Sequence, residues 1–185
     1  MIDQFALGIL NAWLFWVLIL FARYILLRIM SDEAYHRADH VPPLNPKEVI
    51  AYRIQSVSLF MSMILSVFIP LRTEQPFFVC GFAVFGIGYA GYIAAMKNFS
   101  ETNNRIATKG LYKITRHPMY MSFFVIHIGI ILATLSLSYF ILIIIYQIST
   151  HWILIAEERS CLEMNEAYRD YMEGVHRYFG RSSQR

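Results

Sequence analysis

Long apolar runs separated by short polar segments dominate the chain. A helix needs roughly 20 apolar residues to cross the hydrocarbon core of a membrane, and five runs of about that length occur. They cover residues 5–27, 54–71, 77–96, 119–135 and 138–156. The pattern therefore predicts an all-α fold: an integral membrane bundle of five transmembrane helices.

Two connections between these runs are short. Only the polar residues 72–75 separate the second run from the third, and the fourth and fifth runs meet around Ser136. One continuous helix over the last two runs would hold 38 residues (119–156), which is too long for a membrane crossing. The sequence therefore predicts two tight antiparallel hairpins.

The residues that follow the fifth run have a different pattern. Leu162, Tyr168, Tyr171 and Val175 recur among charged residues at nearly helical spacing, which predicts an amphipathic helix over residues 157–178. Such a helix would lie at the cytosolic membrane surface and cover the neighbouring loops. The alternative is a simple surface anchor.

Composition and charge agree with a membrane protein. Of 185 residues, 57% are hydrophobic and 16% charged, which is unlike a soluble domain. No repeat or linker divides the chain, so we expect a single domain over residues 1–185. The net charge of +3 comes without a basic stripe, which argues against nucleic acid as a partner.

The distribution of basic residues predicts an orientation. Of the 16 Lys and Arg residues, all but Arg72 lie on one side if the N-terminus is outside, as the positive-inside rule requires. The C-terminus is then cytosolic. The long polar segments lie on the same side, so we expect the active site to open towards the cytosol.

A dense cluster of basic and aromatic residues precedes the fourth run. Residues 109–120 read KGLYKITRHPMY. Pro118 disfavours helical geometry at His117 and suits a helix start, so free backbone amides should lie beside Arg116 and His117 and favour an anion. The alternative is an ordinary positive-inside loop.

Two adjacent carboxylates, Glu157 and Glu158, end the fifth run. Acidic groups this close to hydrocarbon are costly without partners, and the basic cluster lies at the same depth of the predicted hairpin. Together the two groups predict a pocket for a zwitterion. The alternative is a solvated helix end.

Histidines elsewhere suggest other sites. His36 and His40 lie near Asp32, Glu33 and Asp39, which resembles a set of metal ligands. Pro42 and Pro43 follow directly and no matching second half exists, so we expect no metal. His127, within the fourth run, indicates either function or an interhelical hydrogen bond that fixes packing.

The C-terminal half resembles the superfamily of isoprenylcysteine carboxyl methyltransferases and phospholipid methyltransferases. The resemblance covers residues 86–177 and rests on GLYKITRHPMY, the glutamate pair, Tyr168, Tyr171, Val175 and Arg177. It implies S-adenosylmethionine as the cofactor and a lipophilic substrate that enters from the bilayer. The cofactor contacts that it implies are Tyr112, Arg116, His117, Pro118, Tyr120, Glu157 and Glu158, with Gly86 and Gly88 from a glycine motif of the phospholipid branch.

The resemblance implies that Arg177 closes the pocket or orients the acceptor. Either Arg116 or Arg177 can hold a carboxylate acceptor, so these two arginines are the predicted catalytic residues. The leading hypothesis is an isoprenylcysteine carboxyl methyltransferase-like activity, and a phospholipid amine or a small thiol are alternative acceptors. An NADPH-dependent sterol-type reductase, which has a similar Arg-His-Pro-x-Tyr segment, and a non-catalytic membrane adaptor are the competing classes.

Overall fold

The computed structural model describes residues 5–74, 76–102 and 106–178, and these parts are helical without a regular strand. The first helix, α1, covers Trp13–Met30 and contains a π-helical stretch at Phe21–Leu26. Six further α-helices follow it. They are α2 (Asp32–Ala38), α3 (Pro46–Ser66), α4 (Pro76–Ser100), α5 (Pro118–Thr134), α6 (Leu137–Met164) and α7 (Tyr168–Gly174).

The all-α prediction is confirmed, and the membrane assignment is supported. In the described ranges, α1, α3, α4 and α6 are each long and apolar enough to cross a membrane. The fifth candidate, α5, is apolar but has only 17 residues. The count of five spans therefore stays a prediction.

The predicted start of the first span is wrong. Helix α1 begins at Trp13, whereas residues 5–12 are not helical. The buried side chain of Asn11 donates hydrogen bonds to the carbonyls of Ala6 (2.6 Å) and Val67 (2.7 Å). The backbone amide of Ala12 also donates to Ile69 (2.9 Å). The backbone groups of this segment therefore form hydrogen bonds with the residues that follow α3, and not within a helix.

The predicted C-terminal helix over residues 157–178 is interrupted. Helix α6 continues through Glu157 and ends at Met164, and Asn165 is extended with φ at −157°. The side chain of Asn165 accepts a hydrogen bond from the amide of Ala167 (3.0 Å), a local bond that competes with helix propagation. Only the short α7 follows, so one continuous amphipathic helix is not present.

The main helix pairs also differ from the predicted hairpins. Helix α4 packs along α5, and α3 packs along α6. A β-carbon on Gly129 of α5 would lie 2.4 Å from the backbone nitrogen of Phe85 in α4, so these backbones are in close contact. Gln55 of α3 donates to the hydroxyl of Thr150 in α6 (2.8 Å). Small and polar residues therefore select the pairs, as is common between membrane helices.

Two arginines fix the polar end of this bundle. Arg37, at the end of α2, donates to the carbonyls of Phe99 and Thr102 (3.1 Å each) at the end of α4. Arg159 of α6 binds both carboxylate oxygens of Glu48 (2.8 and 2.7 Å), which also caps the N-terminus of α3. These contacts join α2 to the end of α4, and α3 to α6.

Candidate active site

A short turn positions the Arg-His-Pro segment. Gly110 has φ at +60°, and a β-carbon there would lie 2.1 Å from the side-chain oxygen of Asn98. The positive φ and this close contact both require glycine at the turn. The same oxygen accepts a hydrogen bond from the backbone amide of Leu111 (3.0 Å), which fastens the segment to α4. Pro118 is the first residue of α5, and His117 precedes it with non-helical geometry. The side chain of His117 is therefore presented to α6.

The carboxylate of Glu158 lies at the centre of a buried cluster of cations. Its side chain is 3% exposed. Oxygen Oε1 accepts hydrogen bonds from Arg116 Nε (2.9 Å) and Arg177 Nε (3.0 Å), and Oε2 accepts from Arg177 Nη2 (2.7 Å). The ring of His117 lies 3.0 Å from Oε1. We call Arg116, His117, Glu158 and Arg177 the Glu158 cluster.

Arg116 also fastens the C-terminal segment to this cluster. Its Nη1 donates to the carbonyls of Met172 (2.9 Å) and Val175 (3.0 Å), and its backbone amide donates to His176 (3.1 Å). The hydroxyl of the neighbouring Thr115 donates to the carbonyl of Arg177 (2.8 Å). In this arrangement the Nε, Nη1 and backbone amide donors of Arg116 all bind protein groups.

His117 joins the two glutamates. Its Nε2 lies 3.0 Å from Glu158 Oε1 and its Nδ1 lies 3.5 Å from Glu157 Oε2. Only an imidazolium carries a proton on both nitrogens. Burial opposes the charge, but hydrogen bonds to Glu157 and Glu158 outweigh burial and raise the pKa of His117 above its ordinary value. The ring is therefore a cationic bridge between the carboxylates.

A cavity of about 810 Å³ lies beside this bridge. Glu157 and Tyr120 line it, and the Tyr120 hydroxyl donates a hydrogen bond to Glu157 Oε1. The aromatic residues Tyr92, Phe123 and Tyr146 form further parts of the lining. The residues of the Glu158 cluster are not part of that lining. The two adjacent glutamates consequently face different surroundings.

Most of the predicted site residues lie close together in the structure, but their surroundings differ. Tyr112 is buried, and its carbonyl accepts the Tyr171 hydroxyl (2.6 Å). Gly88 packs against Ile126, and Gly86 faces open space. Since neither glycine lines the cavity, their placement gives no support to a cofactor contact.

The N-terminal half contributes a wall of the cavity that the sequence analysis did not assign. Arg23 and Tyr24 of α1 line it, as do Glu33 and His36 of α2 and, farther along the chain, His40. A signal for Arg23 was present in the sequence, because it is a charged residue inside an apolar run. The described residues contain no group of three or more His, Cys, Asp or Glu side chains that could hold a metal ion.

His127 has a packing environment. It is fully buried in α5, where its Nδ1 lies 2.8 Å from the hydroxyl of Tyr139 in α6. The rings of Trp16, Phe123 and Tyr146 surround it. These contacts agree with the interhelical hydrogen bond that was the packing alternative.

The fold and the site define a class: a helical integral membrane protein with a charged cavity at one end of the bundle. Residues 83–170 match the family model described as phospholipid methyltransferase. The match confirms the resemblance over this segment, which is similar to the superfamily of membrane methyltransferases. It includes Tyr120, the Glu157–Glu158 pair and most of α4, and leaves α1 to α3 outside. No curated protein and no solved structure matches the chain significantly.

Proposed function

We propose that this protein transfers a methyl group from S-adenosylmethionine to a lipophilic acceptor that enters from the bilayer. The family match implies a methyltransferase. The observation that supports a site for this cofactor is the position of Glu157, whose carboxylate lines the cavity while Tyr120 and His117 hold it from two sides.

The residues of the cavity fit this cofactor. S-adenosylmethionine carries a sulfonium and an ammonium group, both cationic, together with a flat adenine ring. Glu157 supplies a carboxylate for a cation, and the rings of Tyr92, Phe123 and Tyr146 supply aromatic faces that attract cations and stack on flat rings. The volume of about 810 Å³ lies within the usual range of small-molecule sites, roughly 300–1,000 Å³.

The chemistry of the reaction makes alignment the main task of the protein. S-adenosylmethionine would supply a methyl group on a cationic sulfur; the acceptor would attack the methyl carbon in line with the C–S bond, which breaks as the new bond forms and releases S-adenosylhomocysteine. Such a step depends mainly on orientation and charge placement. Glu157 would hold positive charge, Tyr120 and His117 orient Glu157, and the carboxylate of Glu158 positions His117.

Two acceptors follow from the family and the residues. An isoprenylcysteine carboxylate is already a nucleophile at neutral pH and needs no base. A phospholipid amine, which the family match favours, must first lose a proton, and the imidazoles of His36 and His40, which line the cavity, are candidate proton acceptors. A small thiol is a third acceptor that the same cavity would accommodate.

The test is a calorimetric titration of the detergent-purified protein with S-adenosylhomocysteine and, separately, with NADPH. We expect saturable binding of S-adenosylhomocysteine that Glu157→Gln weakens at least tenfold without a large change in melting temperature. Transfer of labelled methyl groups to S-farnesylcysteine or phosphatidylethanolamine then identifies the acceptor. Binding of NADPH alone would instead support a reductase, and binding of neither compound would support an adaptor.

A further inference from the structure

We propose that Arg23 of α1 binds the anionic group of the acceptor lipid, a carboxylate or a phosphate. This inference rests on the proposed function, because it divides the cavity between a cofactor and an acceptor. Helix α1 lies outside the segment that matches the family model, so that match assigns Arg23 no role.

The surroundings of Arg23 leave part of its hydrogen-bonding capacity unused. Its Nη2 donates to Asp39, which directly follows α2, whereas its Nη1 is buried and has no hydrogen-bond partner among the described residues. The side chain is 20% exposed and lines the cavity. A guanidinium inside an apolar span is costly, and a buried donor without a partner adds to that cost. An oxyanion bound at this position would reduce both of these free-energy costs.

The guanidinium is held in place before any ligand arrives. Its central carbon lies 5.7 Å from the ring centre of Tyr24 and 5.6 Å from that of Tyr35. Arg23 and Tyr24 also lie in the π-helical stretch of α1, a local geometry that is frequent at functional sites. An arginine fixed in this way suits a carboxylate or phosphate oxygen, to which its Nη1 can donate a charge-assisted hydrogen bond.

The other arginines near the cavity already bind protein groups. Arg37 donates to the carbonyls of Phe99 and Thr102 and stacks over the ring of Phe99 at 4.7 Å. Arg116 and Arg177 bind Glu158. Arg23 also binds a protein group, Asp39, but its buried Nη1 has no hydrogen-bond partner among the described residues and is placed to take a ligand anion, on a different helix from Glu157.

This division matches the charges of the two reactants. The cationic groups of the cofactor belong near Glu157 on α6, and the acceptor anion belongs near Arg23 on α1. Apolar residues of α1, including Trp16, Ile19 and Leu27, line the cavity beside Arg23. They provide contacts for the hydrocarbon part of a lipid that carries the anion.

The experiment compares lipids that differ only in the anion. Binding of N-acetyl-S-farnesylcysteine is measured against its methyl ester, and dioleoyl phosphatidic acid against dioleoylglycerol, with the full chain in detergent. The variants are Arg23→Gln, Arg23→Lys and the matched control Arg28→Gln. Arg28 is also in α1 and pairs with a carboxylate, Asp32 (3.2 Å), but is 65% exposed and outside the cavity lining.

We expect the natural chain to bind at least one of the two anionic lipids ten or more times more tightly than its uncharged counterpart. The pair that shows the difference distinguishes carboxylate from phosphate. Arg23→Gln should abolish this difference in affinity. Arg23→Lys should keep part of it, because the positive charge remains without the guanidinium group. Arg28→Gln should preserve it. If Arg23→Gln does not fold, Arg23→Lys alone must reduce the ratio.

Two results would overturn the inference. One is equal binding of acid and ester, and of phosphatidic acid and dioleoylglycerol, by the natural chain. The other is an anion preference that persists in the Arg23 variants. Titration of S-adenosylhomocysteine with the same variants separates this inference from the proposed function: a loss of that binding in Arg23→Gln, with acceptor binding unchanged, would assign Arg23 to the cofactor instead.

Discussion

Glu157 and Glu158 are neighbours in sequence but have different surroundings. Adjacent residues on an α-helix point about 100° apart, so one carboxylate lines the cavity while the other is buried among three cations. The sequence predicted that this pair would meet the basic segment, because both lie at the same end of neighbouring helices. It did not predict which glutamate faces the cavity, since that depends on how α6 is rotated against α3 and α5.

The buried carboxylate of Glu158 should contribute mainly to the stability of the folded chain. Glu158→Gln removes the counter-charge of Arg116, His117 and Arg177 while nearly preserving side-chain volume. Breaking a buried ion pair from one side costs roughly 3–5 kcal/mol, and we expect the lower end of that range because Arg177 is 25% exposed. The melting temperature in detergent should fall clearly, with Glu157→Gln as the matched control. Equal melting temperatures for the two variants would contradict the different roles.

The charged state of His117 predicts a pH dependence of stability. The folded pKa is raised above the ordinary value of 6.5, so between that value and the raised pKa the folded chain binds a proton that the unfolded chain has lost. This contribution is fully present below pH 6.5 and is lost as the pH rises through the folded pKa. Thermal unfolding from pH 6 to 9 should show a decline that His117→Gln lacks. Identical pH profiles would exclude the imidazolium bridge.

Hydropathy predicted where the helices lie in the sequence better than it predicted which helices pack against each other. Most apolar runs became helices near the expected positions, because a membrane requires backbone groups to bond within the helix. The pairing of α4 with α5 and of α3 with α6 depends instead on single small or polar residues such as Gly129 and Gln55. The helix breaks near Ala12 and Asn165 depend on side-chain hydrogen bonds, which apolar periodicity does not reveal.

The close approach of α4 and α5 can be tested with two glycines. Gly129→Ala places a methyl group 2.4 Å from the backbone of α4, whereas Gly86→Ala has no atom within 4 Å of the added carbon. Gly129→Ala should therefore lower the melting temperature, while Gly86→Ala should leave it unchanged or raise it slightly, since alanine favours helix. Measuring S-adenosylhomocysteine affinity for Gly86→Ala also tests its predicted cofactor role; a large loss would restore that role.

For the whole molecule, orientation remains a prediction from charge. The exposed Lys113 lies on the predicted cytosolic side and the exposed Thr73 on the opposite side. In a chain with both native cysteines replaced by serine, Lys113→Cys should react with an impermeant maleimide only after the cytosolic face is opened. Thr73→Cys should react in intact cells. The reverse labelling pattern would invert the topology and place the cavity outside.

The length of α5 has a consequence for the membrane in which the protein works best. Its 17 residues span about 25 Å, and Arg72 covers its far end by donating from Nε to the carbonyl of Thr134 (3.0 Å). A charged cap at that depth disfavours thick hydrocarbon, so thin membranes are the better match. Activity after reconstitution should decline as lipid acyl chains lengthen from 16 to about 22 carbons; a flat or rising profile would show that α5 does not set the match.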